Sequence, residues 1–376
     1  MIKSVFLASV AVVSLTAFAT GASAQSNTAP ILGAGTTANE TIVLQRGDRN
    51  KATVDQTQGT NAKAGFLNNN IDLTATNLTD SNGNMALDQA NTVVQYGYDN
   101  VLSITQGGNN NQILTTSGNL SRSDFSLDAT KGSFSAGNNN VVSVTQNGTD
   151  GRAQFQQNGS FNNATIIADV GSNTTYAGIF QKGSSNISQI NQYGTSSNVT
   201  ATVTQRGDRN QGYIEQAGLQ TSADIVQDGY DNFSRIRQYS TSSNAIASVR
   251  QNGSGNYGYV EQYGSSLFAG IVQEGNSNYS LINQYGSSIN AYAAVRQVGN
   301  SNTGNIDQSG TTNYAAILQV GDSNNTYISQ SGNGVGAFGY QNGNNNGGSI
   351  TQGGAYYSNA GFAQFGSGNN VTIRQR

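Results

Sequence analysis

The sequence predicts an all-β chain: a β-solenoid of stacked two-strand rungs, 22–24 residues to the rung, with cross-β character. Three observations predict it: a long repeat, a shorter glutamine-framed unit inside it, and period-two alternation within that unit. The long repeat opens at Gln192-Tyr193-Gly194, Gln238-Tyr239-Ser240 and Gln284-Tyr285-Gly286, at steps of 46 residues, and Gln330-Ser331-Gly332 opens a fourth copy. One copy has glutamines at 205, 216, 227 and 238 and the next at 251, 262, 273 and 284, so the spacings run 13, 11, 11 and 11. Units this small cannot bury their own apolar side chains, and stacking is the way they gain a core.

The segment Gln205 to Gln216 shows why the unit is a strand and a turn. Asn210, Gly212, Ile214 and Gln216 are two residues apart and share one face of an extended chain, while Gln211, Tyr213 and Glu215 share the other. Gly207 and Asp208 are residues that tight turns select. A glycine and an asparagine in every unit leave no apolar stripe of helical period.

Stacked at about 4.8 Å, equivalent positions become columns. The predicted apolar column is Ile214, Ile236, Val260, Ile282, Ile306, Ile328, Ile350 and Ile373. Glutamine ladders, each carboxamide donating to the next, are predicted from Gln205, Gln216, Gln227, Gln238, Gln251, Gln262, Gln273, Gln284, Gln297, Gln308, Gln319, Gln330, Gln341, Gln352 and Gln375. Asparagine ladders are expected from Asn210, Asn232, Asn256, Asn278, Asn302, Asn313, Asn324, Asn346 and Asn369. In the 13-residue steps the asparagine (198, 244, 290) falls one place too early to face inward. Counting back from the closing glutamine restores an inward set: Val199, Ala201, Val203; Ala245, Ala247, Val249; Ala291, Ala293, Val295. The two extra residues are therefore expected to lengthen the turn. On the outer face, Glu215, Arg237, Glu261, Asn283, Asp307 and Ser329 follow one another without adjacent like charges, which would repel at strand spacing.

Composition narrows the function classes. There are no cysteines, histidines or tryptophans, and one proline, Pro30. Disulfide frameworks and thiol chemistry are excluded, and a zinc or transition-metal site is not expected. A net charge of −3 implies no basic groove for nucleic acid. Carboxylates are scattered over turns and outer faces, no nucleophile is paired with a base, and no cofactor or enzymatic activity is predicted.

In chain order, residues 1–24 read as a secretory signal peptide, with Lys3, an apolar run from Val5 to Phe18, and Ala22-Ser23-Ala24 before Gln25. No transmembrane segment is predicted elsewhere. Residues 25–40 form a flexible polar leader. Residues 41–134 carry irregular repeats with insertions: full units at Gln45 to Gln56 and Gln95 to Gln106, then alternating fragments (Ile71, Leu73, Ala75; Phe125, Leu127, Ala129) that are either degenerate rungs or loops. From 135 to 376 the repeat is regular, with Ala168 in one glutamine slot and a one-residue slip before Gln364. The last strand, ending at Gln375, leaves no room for a C-terminal cap, and an uncapped edge is a template for another copy.

The frame Gln-x-x-x-x-Asn-x-x-x-x-x-Gln, with Gly soon after the first Gln and Ile/Val before the second, resembles the curlin repeat. Gln205/Asn210/Gln216, Gln227/Asn232/Gln238, Gln273/Asn278/Gln284, Gln45/Asn50/Gln56 and Gln95/Asn100/Gln106 carry the resemblance, over about three quarters of the chain. The chain departs from the typical curlin in having many more repeats, an irregular amino-terminal third, and no regularly placed opening serine. The resemblance implies a protein of a Gram-negative bacterium that is exported unfolded and assembles extracellularly into curli, amyloid fibres of biofilm matrix and adhesion. Its implied partners are further copies of itself, a curli-type nucleator, a periplasmic chaperone and an outer-membrane export pore. The alternative is a monomeric β-solenoid adhesin or glycan-binding module, in which the irregular third is a folded cap.

Three further patterns have plainer readings. The Arg-Gly-Asp tripeptides at 46–48 and 206–208 occupy the repeat turn, where Gly and Asp are expected anyway. Acidic turns at 228–231 and 321–324 lack the full calcium-binding nonapeptide frame. Outward Tyr213, Tyr257, Tyr259, Tyr279, Tyr314 and Tyr327 are expected to pack on one another over the sheet rather than to bind polysaccharide.

Overall fold

The structure, a computed structural model, describes residues 43–46, 48–56, 62–64, 93–114 and 132–375 (without 195, 355 and 356), with the two-residue strands Leu15–Thr16, Ile31–Leu32 and Glu40–Thr41. Apart from those short strands, the expected signal peptide and leader lie outside the described residues, as do the fragments at 71–75 and 125–129. The described residues form strands and turns, with no helix. Contacts divide the chain into two units, 1–185 and 186–376.

The second unit is a β-solenoid of two parallel sheets. Sheet I holds Ile187–Gln192, Gln211–Gln216, Phe233–Gln238, Tyr257–Ser265, Tyr279–Ile289, Thr303–Gln308, Asn325–Gln330, Gly347–Gln352 and Asn370–Gln375. Sheet II holds Thr200–Arg206, Ser222–Tyr230, Ile246–Ser254, Phe268–Asn276, Tyr292–Val298, Tyr314–Val320, Gly336–Asn342 and Asn359–Phe365. Each strand pairs in parallel with its equivalent one rung away, glutamine against glutamine: Gln216 with Gln238, Gln205 with Gln227.

The core lies between the sheets, and its occupants are the residues that alternation turned inward. All eight predicted column residues align from Ile214 to Ile373. Those from Ile214 to Ile350 are fully buried, and Ile373 in the last rung is half-buried. Facing them in sheet II stand Val203, Ile225, Val249, Ile271, Val295 and Ile317. The inward sets of the 13-residue steps are buried as expected, and their strands keep register with 11-residue neighbours. Asn198, Asn244 and Asn290 instead sit exposed in the lengthened turns at positive φ of 54°, 50° and 53°. Asparagine tolerates this conformation better than most residues.

The other corner is built on glycine. Gly253 has φ 128°, and a Cβ there would lie 2.0 Å from the carbonyl oxygen of Gly275 in the next rung. The turns stack so closely that backbone meets backbone.

The first unit repeats the plan with interruptions. Lys51 pairs with Val101 and Val101 with Val141, steps of 50 and 40 residues where Val141 to Asn163 is 22. In one sheet of this unit, two strand positions are each shared by two segments. Lys63–Ala64 and Val93–Tyr98 share one strand position, Gln112–Ile113 and Phe134–Asn138 the next, and both align with the unbroken Arg152–Ser160. Lys63–Ala64, Gln112–Ile113 and Phe134–Asn138 thus pair within rungs. Ala168 aligns with Gln146, as the empty glutamine slot required.

Turn geometry yields a prediction. Gly253→Ala is expected to destabilise the fold by more than about 1 kcal/mol, since strain at positive φ adds to a clash with backbone. Gly286→Ala, where φ is 71° and a Cβ meets nothing within 4 Å, is expected to cost no more than about 1–2 kcal/mol. Denaturant midpoints for the two variants compare them directly, with the larger shift expected for Gly253→Ala.

Candidate assembly surface

The ladder glutamines from Gln205 to Gln352 are buried, and their amides are held on two sides. In sheet II the Nε2 of Gln205 donates to Gln227 at 2.8 Å, Gln227 to Gln251 at 2.9 Å and Gln251 to Gln273 at 2.8 Å, and the chain of bonds continues through Gln297, Gln319 and Gln341 to Gln364. Sheet I carries a second ladder through Gln216, Gln238, Gln262, Gln284, Gln308, Gln330 and Gln352 to Gln375. The second hydrogen of each amide crosses the core. Gln216 donates to the Thr200 carbonyl of sheet II at 3.0 Å, and Gln227 to the Gln211 carbonyl of sheet I at 3.0 Å. One side chain thereby joins neighbouring rungs and also fastens the two sheets. The cross-core bond was not read from the sequence, because spacing reports which face a residue takes and not how far its amide reaches.

The asparagine ladder runs the other way along the stack. Asn232 Nδ2 donates to Oδ1 of Asn210, one rung towards the N-terminus, at 3.0 Å, and to the Gly253 carbonyl, one rung towards the C-terminus, at 2.8 Å. Asn256, Asn278, Asn302, Asn324, Asn346 and Asn369 repeat the amide contact. Asn313 is the exception and corrects the expected set. It lies at the opposite corner, donating to the Ser309 carbonyl at 2.8 Å and accepting from the Val335 amide at 3.2 Å. Its corner follows sheet I, whereas the ladder asparagines follow sheet II.

A further set of contacts has a signal in the sequence, an alternation of glycine with a hydroxyl residue. Position 212 and its equivalents read Gly212, Ser234, Gly258, Ser280, Gly304, Thr326. The hydroxyls bond ladder amides: Ser234 Oγ donates to Gln251 Oε1 at 2.7 Å, Ser280 to Gln297 at 2.8 Å and Thr326 to Gln341 at 2.8 Å. At the glycines, a Cβ would meet a methyl of Val203, Val249 or Val295 at 2.6–2.8 Å. The 46-residue copy is therefore two chemically distinct rungs.

The outer face is organised in stacks. Phe233, Tyr257 and Tyr279 stack at centroid distances of 4.9 and 4.8 Å, with Tyr213 tilted against Phe233; Phe268, Tyr292 and Tyr314 stack at 4.7 and 4.9 Å on the other sheet. Arg237 bridges Glu215 at 3.0 Å and Glu261 at 3.4 Å, as the charge order anticipated, and Arg235 also pairs with Glu215. In the Arg206-Gly207-Asp208 turn, Arg206 is engaged by Asp228 of the next rung at 3.1 Å. Arg209 holds Asp231 through two bonds of 2.7 and 2.8 Å, so two carboxylates of the acidic 228–231 turn face guanidinium groups. No cluster of metal-binding side chains occurs among the described residues, and no helix there is long and apolar enough to cross a membrane.

At the last rung, Asn359–Phe365 and Asn370–Gln375 each pair with a strand on one side only among the described residues. Val371, Ile373 and Gln375 are half-buried where Gly258, Val260 and Gln262 within the stack are buried.

Residues 197–229 and 299–332, each spanning parts of successive rungs, match the family described as the curlin associated repeat. Two segments of the chain thus carry the curlin associated repeat. A comparison with curated proteins finds no match. Both matched segments contain a ladder asparagine between ladder glutamines: Gln205, Asn210 and Gln216 in one, Gln308, Asn324 and Gln330 in the other.

Gln251→Leu tests the ladder amides. It removes the ladder acceptor of Gln227, the acceptor of the Ser234 hydroxyl and the donor to Gln273 Oε1, and is expected to cost about 3 kcal/mol in a denaturant titration, since buried groups left unpaired cost roughly 1–3 kcal/mol each. The Arg209–Asp231 pair gives a pH test. Hydrogen bonding to Arg209 holds the Asp231 carboxyl below its ordinary value, so its stabilising effect is present above that value and is lost as pH falls through the lowered one. Asp231→Asn is expected to lower the melting midpoint at neutral pH, with the difference from wild type closing in strong acid.

Proposed function

We propose that this curlin-repeat protein is a secreted structural subunit that self-assembles into extracellular, curli-like amyloid fibres serving biofilm matrix and adhesion. The observation that supports this reading most is the equivalence of the rungs. Gln352, Asn346 and Ile350 meet Gln375, Asn369 and Ile373 in the register that joins every earlier pair, so each rung offers an identical rung the same partner set. The strand edges of a rung supply backbone donors and acceptors, and its amide ladders supply side-chain ones, which is the physics of a cross-β template. The ladder glutamines and asparagines, with the isoleucine column, are the residues that carry assembly in this reading. The curlin repeats support export through an outer-membrane pore with a periplasmic chaperone, and a nucleator as a partner. The ladder positions hold amides rather than acids or bases, which supports a structural rather than an enzymatic role.

One observation favours the second reading, a monomeric glycan-binding module. A shallow outer groove of about 550 Å³ is lined by Tyr327 with the amides of Asn325, Asn345, Asn369 and Asn370, chemistry that suits a neutral sugar.

Size-exclusion chromatography separates the two. The mature chain is expected to leave the monomer fraction and form thioflavin-positive, detergent-resistant fibres with diffraction spacings of about 4.7 and 10 Å. Gln375→Leu is expected to slow growth from seeds more than Gln216→Leu does. A chain that stays monomeric for days at micromolar concentration overturns the fibre reading.

A further inference from the structure

The corner that follows the sheet I glutamines holds tyrosines that neither the ladders nor the sheet-covering stacks use. Tyr239 and Tyr263 come directly after Gln238 and Gln262 in successive rungs. Their rings stack with centroids 3.7 Å apart and planes 12° from parallel. The other stacked tyrosine pairs stand at strand spacing, Tyr257–Tyr279 at 4.8 Å and Tyr292–Tyr314 at 4.9 Å. Among the described residues, only the corner pair has closed to van der Waals contact of ring on ring.

A proton acceptor is built in beside it. The Tyr239 hydroxyl donates to Oε1 of Glu261 at 3.2 Å, and the Tyr259 hydroxyl donates to the same oxygen. Arg237, 3.4 Å from that oxygen, balances the carboxylate charge. Both corner rings are half-buried, so a small oxidant reaches them while their neighbours keep them in place.

We propose that Tyr239 and Tyr263 are a site of oxidative cross-linking, joined carbon to carbon as dityrosine by a one-electron oxidant of the haem peroxidase class consuming hydrogen peroxide. Each phenol gives up one electron and its hydroxyl proton, the Tyr239 proton passing to Glu261 and the Tyr263 proton to water. The two phenoxyl radicals couple at their ortho carbons. The hydrogen on each coupled carbon then moves, through solvent, to the ring oxygen, and both rings become phenols again. The net change is loss of two hydrogen atoms, and the two electrons and two protons reduce one hydrogen peroxide to two waters. Burial, first, and then the contacts with Tyr263 and Glu261 raise the Tyr239 pKa, so the group enters this step as a phenol whose electron and proton leave together. The product is a covalent staple between two rungs, and it does not depend on whether the chain is in a fibre.

The experiment treats the full chain with a haem peroxidase and hydrogen peroxide and follows dityrosine fluorescence. Trypsin cutting after Arg237, Arg250 and Arg296 places Tyr239 and Tyr263 in different peptides, 238–250 and 251–296, while Tyr257 and Tyr279 share one. The expected result is a dominant joined species of those two peptides, lighter by two hydrogens than their sum. Tyr239→Phe or Tyr263→Phe keeps the stack and the circular dichroism but abolishes the species, and Glu261→Gln slows its formation several-fold. The same treatment in urea is expected to lose the preference. Equal yield from the unfolded chain, earlier linking of Tyr257 to Tyr279 or of Tyr292 to Tyr314, or unchanged yield in Tyr263→Phe each overturns the assignment.

Discussion

The interaction on which the rest of this structure depends is the hydrogen bond between buried carboxamides of successive rungs. A primary amide taken out of water without partners costs several kcal/mol on hydrocarbon scales. Here each glutamine in the body of the second unit gives one hydrogen to the next rung and the other to a backbone carbonyl across the core, while its oxygen accepts from the rung before. The network is satisfied in one register only. A slip by one residue would turn every glutamine outward and every outer tyrosine inward, since side chains alternate with period two. Amides therefore act here less as a source of net stability than as a device that forbids alternatives.

That constraint explains how glycine and bulky residues trade places without disturbing the stack. Where sheet I offers Gly212, Gly258 or Gly304, a valine methyl from sheet II fills the space; where it offers Ser234, Ser280 or Thr326, the hydroxyl joins the amide ladder. Near the last rung the same compensation takes a larger form. Gly339 occupies a column filled by valine or isoleucine from Val203 to Ile317 and by Phe362 in the next rung, and Gly348 faces it. The Phe362 ring fills both voids, with its Cζ 2.8 and 2.1 Å from where their Cβ atoms would be. Core volume is conserved across rungs rather than within one.

The outer faces follow from stacking as well. Residues at one position of successive rungs are neighbours whether or not they attract, so selection acts on columns. Aromatic columns gain roughly 0.5–1.5 kcal/mol per stacked pair. A charged column must alternate, as Glu215, Arg237 and Glu261 do. The same geometry that stacks rungs within the chain makes an exposed rung a surface that a like rung fits, which links the fold to the proposed assembly.

The sequence by itself determined the all-β class, the two-strand rung, the inward column from Ile214 to Ile373 and the glutamine ladders, because period-two alternation and the steps of 11 and 13 residues leave one consistent stacking. It also placed the extra residues of the 13-residue step in a turn. Only the tertiary structure decided which corner a residue serves, and for that reason Asn313 fell outside the asparagine ladder. It alone showed that Gln112–Ile113 and Phe134–Asn138 share one strand position in the first unit, both pairing with Arg152–Ser160. It alone brought Tyr239 onto Tyr263 beside Glu261. The physical reason is common to these cases. Periodicity records which face a side chain takes, whereas reach across the core, the path of a turn and contact at a corner depend on distances that exist only once the rungs are stacked.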